Sequence, residues 1–339
     1  MHFSHYTAAL IYLIALGNAC LPRVYAEHAQ FQHGRDLLES TEPWIEVLSW
    51  KPRAFLYHNF LTPEECDHVV ELAKPHMARS TVVGDKGQSV TDSIRTSYGT
   101  FLARYQDDVI GDIQERVSAW TKLPVSHQED MQVLRYALGQ EYGAHYDSLD
   151  NDSPRIATVL LYLRDTVEGG ETAFPASNQW IDPALRDRMG PFSDCAKDSV
   201  AAKPKKGDAL LFFSLKTDGQ HDSASLHAGC PVVKGTKLTG TIWIHTVPFR
   251  PETLGNTRTV EQDIDPESCT NELAQCKEWA EAGECEKNPP YMIGDPFRLG
   301  NCRLACKVCE TCRSDDYDCR SRNRVNAGFL SLEEMWETN

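Results

Sequence analysis

A short segment of the chain, residues 140–148, carries an imidazole and a carboxylate at a spacing that could bind a metal ion. His145 and Asp147 are two residues apart, so on a β-strand both side chains would project from the same face. One histidine and one aspartate side by side are two of the three ligands of the facial triad that holds non-haem Fe(II). Such a pair also arises by chance, and alone it is equally consistent with a polar surface pair.

A second histidine and a lysine further along the chain extend this pattern. His227 lies in the segment LHAGCPV, and Lys237 follows it by ten residues. A face of two histidines and one aspartate leaves three adjacent coordination positions open. Two of them can take the C1 carboxylate and the keto oxygen of 2-oxoglutarate, and the third can take O2. The far carboxylate of 2-oxoglutarate then needs a cation where water is excluded, and Lys237 is suited to this. The alternative interpretations are that His227 is a hydrogen-bonded histidine of the core and that Lys237 is a surface lysine after a turn.

The elements that must position these residues are mostly short strands. The segment IATVLLYL at 156–163 is apolar on both faces, as expected of a strand inside a sandwich or barrel. Further strands are predicted at 45–48, 54–57, 94–101, 132–136, 208–213 and 241–247, and the segment 169–175 is predicted to be a turn followed by a short strand. Gly and Pro residues punctuate them, which indicates a sandwich or jelly roll, mainly β with flanking α.

Two helices are predicted before this core. Thr62, Pro63 and Glu65 have the pattern of a helix start with a capping box. Cys66 follows on the predicted buried face, where a free structural thiol is expected. A second amphipathic helix covers residues 109–120 and stops before Pro124.

Length and charge restrict the class of protein. The 339 residues can hold one domain of roughly 200 residues and a smaller one. The net charge is −15, from 49 acidic and 34 basic residues. Nucleic acids and anionic membrane surfaces both need a basic face, so neither is an expected partner.

The N-terminus is predicted to be a signal peptide over residues 1–26. An apolar run covers residues 6–21, and Val24 and Ala26 are small residues at −3 and −1 before Glu27. The alternative is an uncleaved signal anchor, the one route to membrane association, although the run is short for a membrane span. Either way, the chain from the polar lead-in at 27–43 onward would enter the secretory lumen. The endoplasmic reticulum is expected, with the Golgi or secretion as alternatives, and Asn151 lies in an N-glycosylation sequon.

Cysteines are concentrated in the C-terminal part of the chain. Eight of the twelve lie between Cys269 and Cys319, after a linker at 250–268 without apolar periodicity. An oxidising lumen favours disulfides over metal thiolates. The alternative is an iron–sulfur cluster, because four cysteines from Cys302 to Cys312 are closely spaced.

Several motifs between Trp44 and Pro248 resemble the plant-type prolyl 4-hydroxylases. They are HYD at 145–147, GGET at 169–172 and SLHAGCPV at 225–232, together with VLSWKPRA at 47–54, IRTS at 94–97 and KPKKGDAL at 203–210. The resemblance implies that residues 44–249 form a double-stranded β-helix catalytic domain. It also implies Fe(II), 2-oxoglutarate, O2 and ascorbate as cofactors and cosubstrates, and peptidyl proline as the substrate.

The same resemblance assigns roles to individual residues. It implies that His145, Asp147 and His227 are the iron ligands. It implies that Lys237 anchors 2-oxoglutarate with Tyr136 and Thr172 as hydrogen-bonding partners. The residues that it places along the peptide groove are Arg95, Tyr142, Arg155, Trp243 and His245. Arg155 could equally be a charged residue at the edge of a strand. His245 could equally be a packed strand residue.

Disulfides are predicted in both parts of the chain. Because Cys230 is three residues from His227, we expect a Cys195–Cys230 disulfide that fixes this strand, with a redox-active thiol as the alternative. The spacing of six cysteines in residues 269–309 resembles the ShKT module. That resemblance implies the pairs Cys269–Cys309, Cys276–Cys302 and Cys285–Cys306. Cys312 and Cys319, in the tail at 310–339, could bridge each other. Residues 329–336 of this tail could form a short amphipathic helix that docks on the catalytic domain, or could be disordered.

The leading hypothesis for function is a peptidyl-proline 4-hydroxylase of proline-rich secretory or cell-wall polypeptides, with collagen-like repeats as an alternative substrate. A second hypothesis is an oxygenase that acts on another residue or a small molecule. A third is a catalytically idle extracellular protein in which the ShKT module binds an unknown partner. The presence of all three metal ligands and of Lys237 favours an enzyme.

Overall fold

Two antiparallel β-sheets form the centre of the fold. The structure, a computed structural model, describes residues 42–80, 82–83, 89–90, 97–148, 153–254, 265–295 and 298–336. The strands are β1 (Trp44–Trp50), β2 (Arg53–His58), β3 (Ala78–Arg79), β4 (Val82–Val83), β5 (Ser89–Val90), β6 (Tyr98–Leu102), β7 (Met131–Tyr136), β8 (Tyr142–His145), β9 (Arg155–Tyr162), β10 (Glu168–Gly169), β11 (Thr172–Phe174), β12 (Val200–Ala202), β13 (Ala209–Phe213), β14 (His227–Gly229), β15 (Val232–Lys234), β16 (Lys237–His245), β17 (Gly294–Asp295) and β18 (Arg298–Leu299).

The larger sheet has eight strands and the smaller has four. Their strand orders are β1-β2-β13-β9-β16-β7-β6-β3 and β12-β11-β14-β8. Side chains of both sheets share one apolar cluster, in which Phe174 and Val200 of the smaller sheet meet Leu56, Leu210 and Phe212 of the larger one. The result is a jelly-roll-type core, as the strand pattern predicts.

The α-helices are α1 (Pro63–Ala73), α2 (Asp108–Thr121), α3 (Pro183–Met189), α4 (Cys276–Glu281), α5 (Glu284–Lys287), α6 (Pro289–Met292), α7 (Tyr317–Asn326) and α8 (Leu332–Trp336). At the start of α1 the backbone N–H of Glu65 donates to the Thr62 hydroxyl, and the Glu65 carboxylate accepts from the Thr62 N–H. This is the predicted capping box. Cys66 is buried and free in the core that α1 and α2 form with the outer face of the larger sheet. None of the described helices has the length and apolar character needed to cross a membrane.

The contacts divide the chain into two units, Met1–Trp44 and Ile45–Asn339. Five disulfides are present in the second unit, with the pairing expected from the sequence. They are Cys195–Cys230, Cys269–Cys309, Cys276–Cys302, Cys285–Cys306 and Cys312–Cys319. A cysteine cluster that binds iron would need free thiolates, and these ten residues have none.

The segment after the cysteine-rich region packs on the β-sheet core. Phe329 forms an antiparallel bridge with Ala78 of the edge strand β3, and the Leu330 N–H donates to the Met77 carbonyl over 3.1 Å. Leu330, Leu332 and Met335 are part of the main hydrophobic core. From the sequence, either a docked helix or a disordered tail was possible for residues 329–336, and the structure shows the docked helix.

The last core strand begins earlier than predicted. The sequence indicates a strand at 241–247, whereas β16 starts at Lys237 and pairs from there with β7. In the segment that was not predicted, Lys237 and Thr239 line a pocket while Leu238 belongs to the main core. Polar residues on the pocket face therefore hide the apolar pattern of a buried strand. Helix α3 was also not predicted, since it has only seven residues.

Candidate active site

Three side chains that can bind a metal ion meet in the space between the two sheets. One donor atom from each of His145, Asp147 and His227 lies within 4.8 Å of the others. The Nε2 atoms of His145 and His227 are 3.4 Å and 3.5 Å from the two carboxylate oxygens of Asp147. Asp147 is 5% exposed and His227 is 7% exposed, so the carboxylate is held away from bulk water.

The pairing of β8 with β14 brings the two histidines together. His145 lies opposite His227 in this antiparallel register, and a register shift follows between His227 and Gly229. The ring centroids of the two histidines are 4.3 Å apart. The strand pairing thus places two residues that are distant in the chain face to face, as a shared metal site requires.

Backbone carbonyls fix the tautomer of both imidazoles. Nδ1 of His145 is 2.9 Å from the carbonyl oxygen of Gly143, and Nδ1 of His227 is 3.0 Å from that of Ser225. Because a carbonyl can only accept, each Nδ1 carries the proton and donates. Each Nε2 therefore presents a lone pair to the space beside Asp147, as a metal ligand must.

The charges of these groups also suit a divalent cation. Burial alone would raise the pKa of Asp147, but the attraction of the His227 and His145 imidazoles outweighs it and holds that pKa well below its usual range. Burial lowers the pKa of His227 to about 4. A carboxylate and neutral imidazoles are the donor set that Fe(II) takes in facial-triad sites.

Thr158 is a further residue of the site, and sequence reasoning missed it. Its hydroxyl, on strand β9 of the larger sheet, donates to an Asp147 carboxylate oxygen over 2.6 Å. Such a bond orients a metal-binding carboxylate. The available signal was the one threonine in the otherwise aliphatic or aromatic run IATVLLYL.

Lys237 is buried at the other end of the same pocket, where it is only 3% exposed. Among the described residues its Nζ forms no hydrogen bond or ion pair, and it lies 5.5 Å from the centre of the Tyr136 ring. Burial lowers the pKa of Lys237 to about 7, and the nearby Glu171 carboxylate opposes this only in part. A buried cation of this kind needs an anionic partner.

The other two residues expected near Lys237 also line the pocket. Tyr136 lies directly opposite Lys237 in the β7–β16 register. The Thr172 hydroxyl accepts from the buried Tyr162 hydroxyl over 2.9 Å, which identifies Tyr162 as a supporting residue that sequence reasoning missed. A Cβ atom on Gly229 would be 3.4 Å from the Lys237 Nζ, so the glycine leaves room beside the cation.

The GGET motif forms the turn that precedes Thr172. Gly169 and Gly170 have φ angles of 74° and 69°, the left-handed region that glycine adopts without strain. A Cβ atom on Gly169 would collide with the carbonyl oxygen of Pro231. The turn can therefore pack against the β14–β15 connection only with glycine at this position.

Aromatic rings lie near the metal-binding side chains. Tyr142 stacks on His145 with ring centroids 3.7 Å apart, and Trp243 lies on β16 at the opposite wall. The residues that line the whole pocket are Leu134, Tyr136, Tyr142, His145, Asp147, Thr158, Leu160, Thr172, Phe212, His227, Gly229, Lys237, Thr239, Thr241 and Trp243.

Arg155 and His245 lie behind Trp243 rather than in the pocket itself. The Arg155 guanidinium packs over the Trp243 ring, 4.0 Å from its centre, and donates to Glu129 over 2.6 Å. Nε2 of the buried His245 is 2.8 Å from the same Glu129 oxygen, and its Nδ1 is 2.7 Å from the Ser153 carbonyl. His245 is thus a packed, hydrogen-bonded strand residue, one of its two open interpretations.

Glu129 links Arg155 and His245, since both side chains are hydrogen-bonded to its carboxylate. The role of Glu129 was not predicted from the sequence. Burial alone would raise the pKa of Glu129, but the hydrogen bond to His245 and the charge of Arg155 lower it. Its signal in the sequence was weak, because an acidic residue before a strand is common. Arg95 and the Asn151 sequon lie outside the described residues, so their predicted roles have no structural counterpart here.

The Cys195–Cys230 disulfide and Glu171 brace the His227 strand. The Cys230 N–H donates to the Glu171 carbonyl over 2.8 Å. The Glu171 carboxylate in turn accepts from the Ser193 N–H and hydroxyl, each over 2.8 Å. The loop that carries Cys195 is therefore tied to β14 both covalently and through hydrogen bonds.

Comparison with known proteins defines the class to which this fold and site belong. Residues 131–245 match the model of the 2OG-Fe(II) oxygenase superfamily. This range contains the three metal-binding side chains, Lys237 and every described residue of the pocket.

Curated relatives define the family more narrowly. Prolyl 4-hydroxylase 2 of Arabidopsis thaliana is 44% identical over 272 residues, which cover 78% of this chain and 88% of the relative. Probable prolyl 4-hydroxylase 10 of the same plant is 49% identical over 218 residues, covering 62% of this chain and 74% of the relative. The chain therefore belongs to the prolyl 4-hydroxylase family and is a 2-oxoglutarate- and Fe(II)-dependent dioxygenase.

A solved structure is also similar. The viral collagen prolyl hydroxylase of Paramecium Bursaria Chlorella virus-1, in complex with 2-oxoglutarate, is 29% identical with a TM-score of 0.42. The match covers 57% of this chain and 96% of the viral chain.

Proposed function

We propose that this enzyme hydroxylates C4 of proline residues in proline-rich polypeptides. The observation that carries the proposal is the layout of the pocket between the two sheets. Metal-binding side chains occupy its centre, and the aromatic rings of Tyr142 and Trp243 lie on its walls. One end holds the buried Lys237, which has no anionic partner among the described residues.

The metal-binding side chains fit Fe(II). His145 and His227 offer Nε2 lone pairs, and Asp147 offers a carboxylate, which leaves coordination positions for 2-oxoglutarate and O2. When bound, the metal supplies O2 activation coupled to the oxidative decarboxylation of 2-oxoglutarate to succinate and CO2. Thr158 holds the Asp147 carboxylate in place through its 2.6 Å hydrogen bond.

Lys237 would bind the far carboxylate of 2-oxoglutarate. The ammonium group is buried and has no ion-pair partner in the described part of the chain, so a carboxylate would be attracted to it strongly, with little screening by water. Tyr136 and Thr172 are neutral hydrogen-bonding groups beside it. Their positions on β7 and β11 place them on opposite sheets, so the cosubstrate would be held from both sides.

The aromatic walls fit a proline-rich chain. Such a chain adopts the polyproline II conformation, which presents ring faces and free carbonyl groups, and aromatic-lined grooves recognise both. Tyr142 and Trp243 offer ring faces. Arg155 packs on Trp243, and His245 and Glu129 hold Arg155, so these residues would position the groove. Arg95 is proposed to extend it.

The remaining proposals concern the environment of the enzyme. The five disulfides support an oxidising secretory lumen, the endoplasmic reticulum foremost, reached through a signal peptide at 1–26. Ascorbate is proposed as the reductant that keeps the metal ferrous. The three disulfides between Cys269 and Cys309 support a ShKT-type module. Glycosylation at Asn151 is proposed from its sequon alone.

Coupled turnover tests the function. The purified full chain is incubated with Fe(II), ascorbate, 2-oxoglutarate and a proline-rich peptide, and succinate is measured. We expect succinate release that depends on the peptide and is lost in His227→Ala, which in addition binds less Fe(II) in a direct titration. A peptide in which alanine replaces every proline is the matched control. Equal succinate release with both peptides would contradict proline as the substrate.

A further inference from the structure

A cleft separates the cysteine-rich region from the edge of the larger sheet. Its volume is about 240 Å³, and it is bounded by β3, by the β17–β18 hairpin and by the segment after α7. Arg79, Arg298 and Arg303 line it, one from the sheet edge and two from the cysteine-rich region. We call it the arginine cleft.

Arg303 is a charged side chain fixed within the wall of the arginine cleft. It is 4% exposed, and its guanidinium donates to the carbonyl oxygens of Ser268 and Asn323, each over 3.2 Å, and of Pro266 over 3.5 Å. Among the described residues it has no carboxylate within ion-pair distance, and burial lowers its pKa, which Asp265 opposes in part. Carbonyl groups orient this cation without neutralising it.

Arg79 and Arg298 add two exposed cations. Within the described part of the chain, neither guanidinium forms a hydrogen bond or an ion pair. The carboxylate that lines the arginine cleft is Asp295, and one of its oxygens accepts from the backbone N–H of Arg298. Of the described residues, three arginines and one aspartate therefore line the arginine cleft, in a protein with a net charge of −15.

The chemistry of the arginine cleft selects carboxylate groups. Guanidinium groups bind carboxylates through paired N–H donors. The volume is below the roughly 300–1,000 Å³ of sites for drug-sized ligands, so it admits one or two side chains rather than a folded partner. An acidic stretch of peptide satisfies both requirements.

The arginine cleft and the catalytic pocket lie on opposite faces of the larger sheet. Arg79 pairs with Tyr98, which packs against the main core, and Tyr98 pairs with Arg135, whereas the next residue, Tyr136, faces the pocket. A chain that joins the two sites therefore passes around the β3 edge of the sheet and covers roughly 30 Å, from two strand spacings on each face and the thickness of the sheet. A polyproline II chain rises about 3.1 Å per residue, so on the order of ten residues connect the two sites.

We propose that the arginine cleft binds the side-chain carboxylates of an acidic segment in the polypeptide substrate, on the order of ten residues from the proline that is hydroxylated. This rests on the proposed function for the identity of the ligand as a substrate segment. The cysteine-rich region would thereby contribute to substrate selection, since it supplies Arg298 and Arg303.

Direct binding tests the arginine cleft without any turnover. A fluorescent tetraglutamate peptide, which contains no proline, is titrated with the full chain at low ionic strength and followed by anisotropy. We expect Arg298→Glu to weaken binding by at least about tenfold. The control is Arg313→Glu, a charge reversal at an exposed arginine of the same region that pairs with Asp315 outside the cleft. Equal affinity of the Arg298→Glu and Arg313→Glu variants would overturn the proposal.

Steady-state kinetics then tests the link to the substrate. A proline-rich peptide followed by four glutamates is compared with the same peptide followed by four glutamines. For the wild-type enzyme we expect the KM of the glutamine peptide to exceed that of the glutamate peptide by about threefold to tenfold. This ratio of KM values should be near one in Arg298→Glu, and it should be smaller for the wild type in high salt. An unchanged ratio in Arg298→Glu would refute the substrate role.

Two further outcomes separate the competing explanations. Binding of oligogalacturonate without binding of tetraglutamate would reject a peptide ligand in favour of an acidic polysaccharide. Binding of tetraglutamate by a protein that hydroxylates no proline peptide would reject the proposed function, and it would leave the arginine cleft as a carboxylate site whose ligand is not the substrate.

Discussion

Lys237 is the residue whose environment depends most on a bound ligand. A buried ammonium group without an anionic partner is unfavourable in the free protein, because burial disfavours the charged form. The same burial makes the attraction to a carboxylate strong. Affinity for 2-oxoglutarate is therefore achieved at a cost to the stability of the ligand-free enzyme.

Replacing Lys237 with methionine should separate these two effects. We expect the KM for 2-oxoglutarate to rise at least about tenfold, and the free energy of unfolding at pH 6 without ligands to increase by about 1–4 kcal/mol. The folded pKa of Lys237 is about 7, below its ordinary value of 10.5. The unfolded chain thus binds more protons between these pH values, so wild-type stability should increase with pH there.

Thermal unfolding and kinetics between pH 6 and pH 9 measure both effects. The Lys237→Met variant should lack this part of the increase in stability with pH. A variant less stable than wild type at pH 6, with an unchanged KM for 2-oxoglutarate, would show that Lys237 has a structural role instead.

Thr158 should affect the metal and not the cosubstrate. Thr158→Val removes the hydroxyl that donates to Asp147, so we expect Fe(II) affinity to fall by about 10–100-fold. Thr241→Val, a buried threonine on β16 in the same pocket, is the matched control. Titration with Fe(II) in the absence of 2-oxoglutarate is the measurement. Equal loss in both variants would indicate a packing effect and not the orientation of Asp147.

At the level of single residues, the sequence predicts well which side chains form the site. It predicts poorly which residues hold those side chains in place. His145, Asp147, His227 and Lys237 could be selected because their types and order match a known chemistry, and the structure places them in one pocket. Glu129 and Thr158 could not, because their importance lies in contacts across strands. Hydrogen bonds between residues that are distant in sequence leave no pattern along the chain.

The tail that follows the cysteine-rich region behaves as an element of the catalytic core. Phe329 adds to the edge of β3, and the fully buried Leu330 packs in the same core as α1 and α2. The buried Arg324 side chain donates to the Leu330 carbonyl over 2.8 Å and to the Pro75 carbonyl over 3.1 Å. An edge strand covered in this way is also protected from pairing with other chains.

Truncating Leu330 should therefore destabilise the whole catalytic core. We expect Leu330→Ala to lower the free energy of unfolding by about 2–5 kcal/mol, as for other buried leucines. Leu304→Ala, at an exposed leucine of the cysteine-rich region, is the control and should change stability by less than about 0.5 kcal/mol. Urea unfolding followed by the fluorescence of core tryptophans is the measurement. Similar effects of the two substitutions would mean that the tail is not integrated into the core.

Element prediction succeeded where one physical signal dominated. The capping box at Thr62 and the apolar run at 156–163 identify α1 and β9 almost to the residue. The start of β16 could not be predicted because the face of this strand that lines the pocket is polar. The docking of residues 329–336 could not be predicted because a short amphipathic segment does not specify what it packs against.

At the scale of the whole molecule, the cysteine-rich region and the catalytic core share a boundary instead of lying at two ends of a linker. Arg303 and Arg298 face the sheet edge across the arginine cleft, and the tail returns to pack on the core. The sequence predicted two parts and the disulfides within them. It could not predict this arrangement, because the charges and apolar residues that form it are scattered over more than two hundred positions.

Mass spectrometry of the peptide product tests the central claim most directly. The full chain is incubated with Fe(II), ascorbate, 2-oxoglutarate and a proline-rich peptide that also contains lysine, and the position of any added oxygen is read from fragment ions. We predict one added oxygen on proline, identified as 4-hydroxyproline after hydrolysis, and none without 2-oxoglutarate. Oxygen on lysine, or succinate formed from an unmodified peptide, would contradict the assignment.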